Sequence, residues 1–149
     1  DEGPGDDWPA VRQRIVRSDI LVLGTPIWLG QPSSVCKRVL ERMDAFISET
    51  DAATGHMQAY GKVAGVAVVG NEDGAHHVCA ELFQALVDVG FTVPASASTY
   101  WVGVAMGSTN YVDLAATPEK TAGTTRTLAR LTAHLARLLR GSGYPSIKS

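Results

Sequence analysis

Two short stretches carry the residues best suited to hold a ligand. Gly24-Thr25-Pro26-Ile27-Trp28-Leu29-Gly30 follows the apolar run Ile20 to Leu23 and leads through Gln31 and Pro32 to Ser33-Ser34 and a helical pattern. Gly70-Asn71-Glu72-Asp73-Gly74 follows a second apolar run, Lys62 to Val69, and leads to a helical pattern that opens with His76 and His77. Both read as glycine-bounded loops between a strand and a helix. In an open α/β sheet such loops stand outside the carboxyl ends of the strands, where ligands bind. Glycine lets backbone approach a flat molecule closely, proline fixes the chain, and Trp28 offers a ring face. The plainer readings are a tight turn for residues 25–30 and a core or interface place for Trp28.

Other chemistry finds less support. Ser33 and Ser34 lack the GxSxG surroundings of a nucleophile elbow and read as a helix N-cap. His76 and His77 lie near Glu72 and Asp73, but adjacent helical residues point about 100 degrees apart and do not readily share one ion, so no metal site is expected. Asp73 is assigned as N-cap of the helix that follows it. His76 reads either as a solvated or capping residue or as a neighbour of the ligand edge. Tyr100, Trp101 and Tyr111 either line the rim of a flat-ligand pocket or pack under the last helix. Cys36 and Cys79 have no metal-ligand or disulfide spacing and read as reduced packing residues. No pair of carboxylates has the setting of an acid/base dyad.

The elements that must position these loops follow in regular order. A helix is predicted from about Trp8 to Arg17, capped by Asp6 or Asp7, with Pro9 early enough to cost no hydrogen bond. The strand Ile20 to Leu23 shows no polar alternation, which predicts cover on both faces. Val35, Val39, Leu40, Met43, Phe46 and Ile47 mark the apolar face of the next helix. Residues 48–61 read as a connection, Lys62 to Val69 as the second buried strand, and about Ala75 to Val89 as a helix stopped by Gly90. A third strand region begins at Phe91 and continues irregularly toward Tyr100 and Trp101, and 103–113 is a loop. A long helix starts near Pro118, with Leu128, Leu131, Leu135, Leu138 and Leu139 as its buried stripe. Residues 141–149 are expected as a flexible tail on a single domain, 1–149. Alternating helices and strands with long connections predict a three-layer α/β/α sandwich around a parallel sheet.

Composition sets the class. The 149 residues are 45% hydrophobic and 19% charged, with a net charge of -2, as in an ordinary globular domain. No run of Lys or Arg marks a nucleic-acid partner. No apolar run reaches the length of about 18 residues that a spanning helix needs, and the acidic start does not match a secretory signal. A cytoplasmic protein without membrane or nucleic-acid partners is expected.

The run VLGTPIWLGQPSSVCKRVLERMD, with GNEDGAHH after the next strand, resembles the flavodoxin-like superfamily, in its NADPH-dependent FMN reductase and quinone reductase branch. The resemblance extends from about Trp8 to Leu139. It implies FMN at the carboxyl ends of the strands, with Thr25, Pro26, Ile27, Trp28, Leu29 and Gly30 along one side of the ring. Gly70, Asn71, Glu72, Asp73, Gly74 and His76 would lie at its other edge, and Tyr100 and Trp101 at the substrate rim. It implies NADPH or NADH as electron donor, a flavin, quinone or similar small-molecule acceptor, and a homo-oligomer. The flavin then performs the redox chemistry and the protein positions and tunes it, so no catalytic side chain is assigned.

One departure from the family stands out. Members open with a strand, a Ser/Thr-rich loop that cradles the FMN phosphate, and a second strand, and this chain shows no such unit before Trp8. The expectation is therefore an N-terminally incomplete fold. Losing even three charge-assisted bonds to the phosphate, at about 1.5 to 3 kcal/mol each, removes about 4 to 9 kcal/mol of binding. That weakens FMN binding about a thousandfold or more. The Ile20 to Leu23 strand is expected as an exposed apolar edge through which the isolated chain associates. The alternative function is a non-catalytic or electron-carrier module of the same fold, acting through protein contacts. A net charge of -2 suits the acidic docking surface of a carrier poorly.

Overall fold

The computed structural model describes residues 3–148. In chain order it comprises α1 (Trp8–Arg17), β1 (Ile20–Trp28), β2 (Gln31–Pro32), α2 (Ser34–Met43) and α3 (Ala45–Ser48). β3 (Val63–Val69), α4 (Ala75–Asp88), β4 (Ser98–Trp101), a single 3-10 turn (Tyr111–Asp113) and α5 (Glu119–Gly141) follow.

The strands lie in the order β2-β1-β3-β4. β1, β3 and β4 are parallel, with Leu23 opposite Val66 and Val66 opposite Ser98. β2 is antiparallel to the end of β1, so the sheet is mixed but largely parallel. The two faces of the sheet are covered unequally. Ser98 turns toward Cys79 of α4, while its neighbour Thr99 bonds Thr124 and Thr125 of α5 at 2.8 and 2.9 Å. Side chains alternate across a strand, so α4 and α5 lie on opposite faces and the layers are three. One continuous core unites Trp8 and Ile15 of α1, Leu23 and Ile27 of β1, and Met43 and Phe46 of α2 and α3 with Val66, Val68, Val78, Leu82 and Leu86. Among the described residues the opposite face carries α5 alone.

That asymmetry corrects the expectation for β1. Its core-facing residues Leu23, Thr25 and Ile27 are buried, but Val22 on the other face is 48% exposed. Beyond the short β2 pairing at Ile27 and Trp28, no strand among the described residues pairs with its outer edge.

The helices depart from their sequence patterns in the same way. The inward stripe of α5 is Leu128, Thr132 and Ala136, spaced four apart, and Leu138 is exposed. Small residues at the contact let α5 lie close to the sheet, where a Cβ on Gly65 would stand 3.4 Å from the Leu128 Cδ1. Val35 and Ile47 are also exposed, and Cys36, Met43 and Phe46 carry the burial of their helices. At the amino end, the Asp6 carboxylate accepts the Trp8 N–H at 2.9 Å and pairs with Arg42, whose guanidinium lies over the Trp8 ring. The expected tail is pinned, not free. The Ile147 N–H donates to the Thr54 carbonyl at 2.9 Å, Tyr144 bonds Thr92 at 2.7 Å, and His56 bonds the Pro145 carbonyl at 2.8 Å. Ser149, the last residue of that tail, lies outside the described residues.

Candidate functional site

The stretch expected as a loop from Thr25 to Gly30 is strand for most of its length. Thr25 and Pro26 continue the register of β1 against Val68 and Val69, and the chain reverses only at Leu29 and Gly30 before β2. Pro26 breaks no ladder here because it sits on a strand whose outer side is unpaired. Leu29 and Gly30 have φ of 54° and 72°. Two left-handed residues between antiparallel strands make the tight hairpin turn whose twist matches the strands it joins.

A buried polar group holds the hairpin to the helix behind it. The Thr25 hydroxyl donates to the Pro26 carbonyl at 3.0 Å and accepts the Ser33 N–H at 3.0 Å. The Ser33 hydroxyl in turn accepts the Cys36 N–H at 3.2 Å, the cap that its position before α2 predicts. Burial pushes the Cys36 thiol up, with a hydrogen bond to Thr25 working against it. Burial likewise raises Cys79. Both cysteines are therefore neutral, buried and free, as packing residues are.

The second stretch comes to meet the first through glycine. Gly74 has φ of 111°, and a Cβ there would stand 2.9 Å from the Gly30 Cα. Only two glycines permit this approach, and it brings the two stretches into one site. Gly74 is also the residue that caps α4, and the Asp73 carboxylate accepts its N–H at 2.8 Å. Asp73 is thus not the N-cap that its position suggested. Gly70 serves a neighbouring need, because a Cβ there would lie 2.9 Å from the Ile27 Cβ.

Above this contact opens a cavity of about 460 Å³, lined by Leu29, Gly30, Glu72, Asp73, Gly74 and Met106. Its lining joins two glycines, the acidic residues Glu72 and Asp73, and the apolar residues Leu29 and Met106. Thr25 and Ile27 are buried and Trp28 is 58% exposed, and none of the three is in its lining. Asn71 supports the far wall: its carbonyl accepts the Met106 N–H at 2.6 Å and its side-chain amide donates to the Thr109 carbonyl at 3.4 Å. Tyr100 and Trp101 point to opposite faces of β4. Tyr100 bonds His76 at 3.0 Å with rings edge to face, and Trp101 packs against Tyr111. None of these four lines the cavity. His77, set aside with the metal reading, bonds Gln31 at 2.9 Å and ties α4 to β2. Met106 escaped sequence reading because nothing in its own stretch marks it: a contact with Asn71, 35 positions earlier, brings it to the site.

The family described as NADPH-dependent FMN reductase matches residues 1–106. The chain belongs to that family. Among curated proteins it is 36% identical over 140 residues to the 8-demethyl-8-aminoriboflavin-5'-phosphate synthase of Streptomyces davaonensis, covering 93% of this chain and 54% of that one. It is 37% identical over 138 residues to the divalent metal cation transporter MntH of Mycobacterium bovis, covering 91% of this chain and 20% of that protein. The crystal structure of RosB with the bound intermediate 8-demethyl-8-formylriboflavin-5'-phosphate superposes with a TM-score of 0.86 at 36% identity, over 93% of this chain and 55% of that one. The chain thus spans about half the length, or less, of these relatives. Solved chains only 15–18% identical superpose with TM-scores of 0.54 to 0.57 and share the flavodoxin-like fold alone. Among the described residues no helix is long and apolar enough to cross a membrane, and no cluster of three His, Cys, Asp or Glu is placed to hold an ion.

Proposed function

We propose that the cavity between the two glycine loops takes the isoalloxazine ring of FMN. In the complete protein, NADPH or NADH would reduce a small acceptor, such as a free flavin or a quinone, at this site. The observation that carries this reading is the backbone contact of Gly74 on Gly30. It gives a floor without side chains at the carboxyl ends of β1 and β3, under a cavity of about 460 Å³. A flat ring needs such a floor, and the volume lies in the range of small-ligand sites. Bound FMN would supply hydride transfer. The residues of this chain hold and orient the ring. Glu72 and Asp73 accept hydrogen bonds from ring N–H groups, Leu29 and Met106 keep water from its faces, and the Thr25 to Ser33 bond keeps the hairpin in place. No side chain is required as general acid or base.

The acidic residues Glu72 and Asp73 in the lining argue against a phosphate in this cavity. A phosphate is repelled by Glu72 and Asp73, so its cradle belongs away from this cavity. The 149-residue chain should therefore bind flavin mainly through the ring, and weakly. Oxidation of NADPH or NADH by the complete protein with added FMN, followed at the nicotinamide absorbance, tests the reading. Dependence on both reactants supports it, and an unchanged rate on adding FMN contradicts it.

A second reading is that a flavin phosphate is the molecule transformed. It is favoured by the 36% identity to a synthase of a modified riboflavin phosphate, against 15–18% for three other solved chains of this fold. Conversion of FMN itself, seen as a new flavin species by chromatography, distinguishes the two readings.

A further inference from the structure

The pole of the molecule opposite the glycine loops holds a second cleft, of about 320 Å³, where α4 ends and the chain turns through Gly90, Phe91 and Thr92. α4 is capped at Gly74 in the first cavity and runs 14 residues, so the two places stand about 20 Å apart at 1.5 Å per residue. Tyr60 and the tail residues Tyr144, Pro145 and Ile147 complete the lining. Two glycines allow the closure. A Cβ at Gly90, where φ is 103°, would stand 2.8 Å from the Tyr60 Cδ1, and one at Gly55, where φ is 77°, would stand 2.9 Å from the Ile147 Cγ1. The tail is held there through polar atoms: besides the bonds of Tyr144, Pro145 and Ile147, the Lys148 ammonium donates to the Ala52 carbonyl at 2.6 Å. Its apolar side chains stay uncovered. Tyr144 is 43% and Ile147 62% exposed, and Val87, which lines the same cleft, is 51% exposed. A segment docked for burial would hide these groups, whereas apolar surface gathered around one cleft marks a binding groove.

We propose that this cleft is a second ligand site, for a small uncharged aromatic molecule that carries a hydrogen-bond acceptor. Among the described residues no charged side chain lines it, so an ion placed there would lose its hydration without compensation. The Tyr60 and Tyr144 rings stand edge to face with centroids 5.9 Å apart, and such rings take a further aromatic face or edge. The polar contact is the hydroxyl pair of Thr92 and Tyr144, bonded at 2.7 Å. Two hydroxyls carry two protons and their mutual bond uses one, so one remains to donate to the ligand. The volume stands at the lower end of the range for small-ligand sites, which suits one or two rings. No residue lines both this cleft and the cavity between the glycine loops, so the site stands apart from the flavin reading.

The probe is 6-propionyl-2-dimethylaminonaphthalene, an uncharged two-ring ketone whose emission moves to the blue in apolar surroundings, titrated into the 149-residue chain. A saturable blue shift is expected. Val87→Trp puts a larger side chain into the cleft from an exposed position and should weaken binding about tenfold or more, with the melting temperature unchanged. Thr92→Val combined with Tyr144→Phe removes both hydroxyls and keeps the shape; it should bind the ketone about threefold to tenfold more weakly. Val112→Ser, exposed and outside the lining, should bind as the wild type does. Unlabelled 2-acetylnaphthalene should displace the probe, and 2-naphthalenesulfonate, a charged molecule of the same ring size, should not. A wild-type chain that binds no probe overturns the site, as does affinity that Val87→Trp leaves unchanged. Loss in Val87→Trp that tracks a lowered melting temperature, with undiminished binding by the double variant, overturns it too. Displacement by the sulfonate as readily as by the ketone overturns the ligand class.

Discussion

A methyl group at position 74 is enough to fill the closest contact in the site. Gly74→Ala would put its Cβ 2.9 Å from the Gly30 Cα in a backbone conformation that alanine rarely takes. We expect a loss of about 1 to 3 kcal/mol in urea unfolding, together with loss of ring binding. Thr25→Val keeps the shape of a buried side chain but leaves the Ser33 N–H without its acceptor. It should cost about 1 to 3 kcal/mol in the same measurement. Asp6 makes a prediction in pH. A hydrogen bond from Arg42, and then one from the Trp8 N–H, hold its carboxyl below the ordinary value of 3.8. The folded chain then binds this proton less readily than the unfolded chain. The contribution to stability is complete above about 3.8 and fades as pH falls through the lower folded value. In Asp6→Asn the melting temperature should decline less steeply below about pH 4 than in wild type; identical acid limbs would contradict this. At this scale the glycines were legible, because positions 30, 70 and 74 announced themselves by type. Met106 was not, since a methionine in a loop carries no mark of the contact that places it.

Between residues, the β1–β2 hairpin shows where local signals lose to pairing. Gly24 and Pro26 announce the end of a strand, yet the parallel register with β3 runs on through Pro26, and Ile27 is buried against Gly70. An edge strand tolerates both residues, so the break came five residues later than the turn-formers suggested. α5 shows the converse. Its leucines recur at helical spacing, but the residues that enter the contact are Leu128, Thr132 and Ala136, because close approach to the sheet favours small side chains. Only the facing sheet decides that. The α2 and α3 segment is held chiefly by Met43 and Phe46, both fully buried. Phe46→Ala should therefore cost about 3 to 5 kcal/mol by chemical denaturation, whereas Ile47→Ala, on the exposed side, should change stability by less than about 0.5 kcal/mol. Equal effects would mean that the burial assigned to this helix is wrong.

Across the fold as a unit, the sheet is finished on one face and open on the other. The alternation of helix and strand predicted the three layers and their order correctly, since the connections allow little else. What it did not show is that, among the described residues, α5 is the sole helix on its face and Val22 is left exposed there; the unpaired outer edge of β1 is the one expected from the missing first strand. Such an edge pairs with other chains. Light scattering of the 149-residue chain should give an apparent mass that rises with concentration, and Val22→Lys should suppress the rise. A concentration-independent monomer would contradict the association. The most direct measurement on the site itself compares riboflavin with FMN in a fluorescence titration of the same chain, with Gly74→Ala as control. The cavity and its two carboxylates predict weak binding of both flavins with comparable affinity, lost in the variant. Strong preference for FMN, or binding that Gly74→Ala leaves unchanged, would mean that the flavin is held elsewhere.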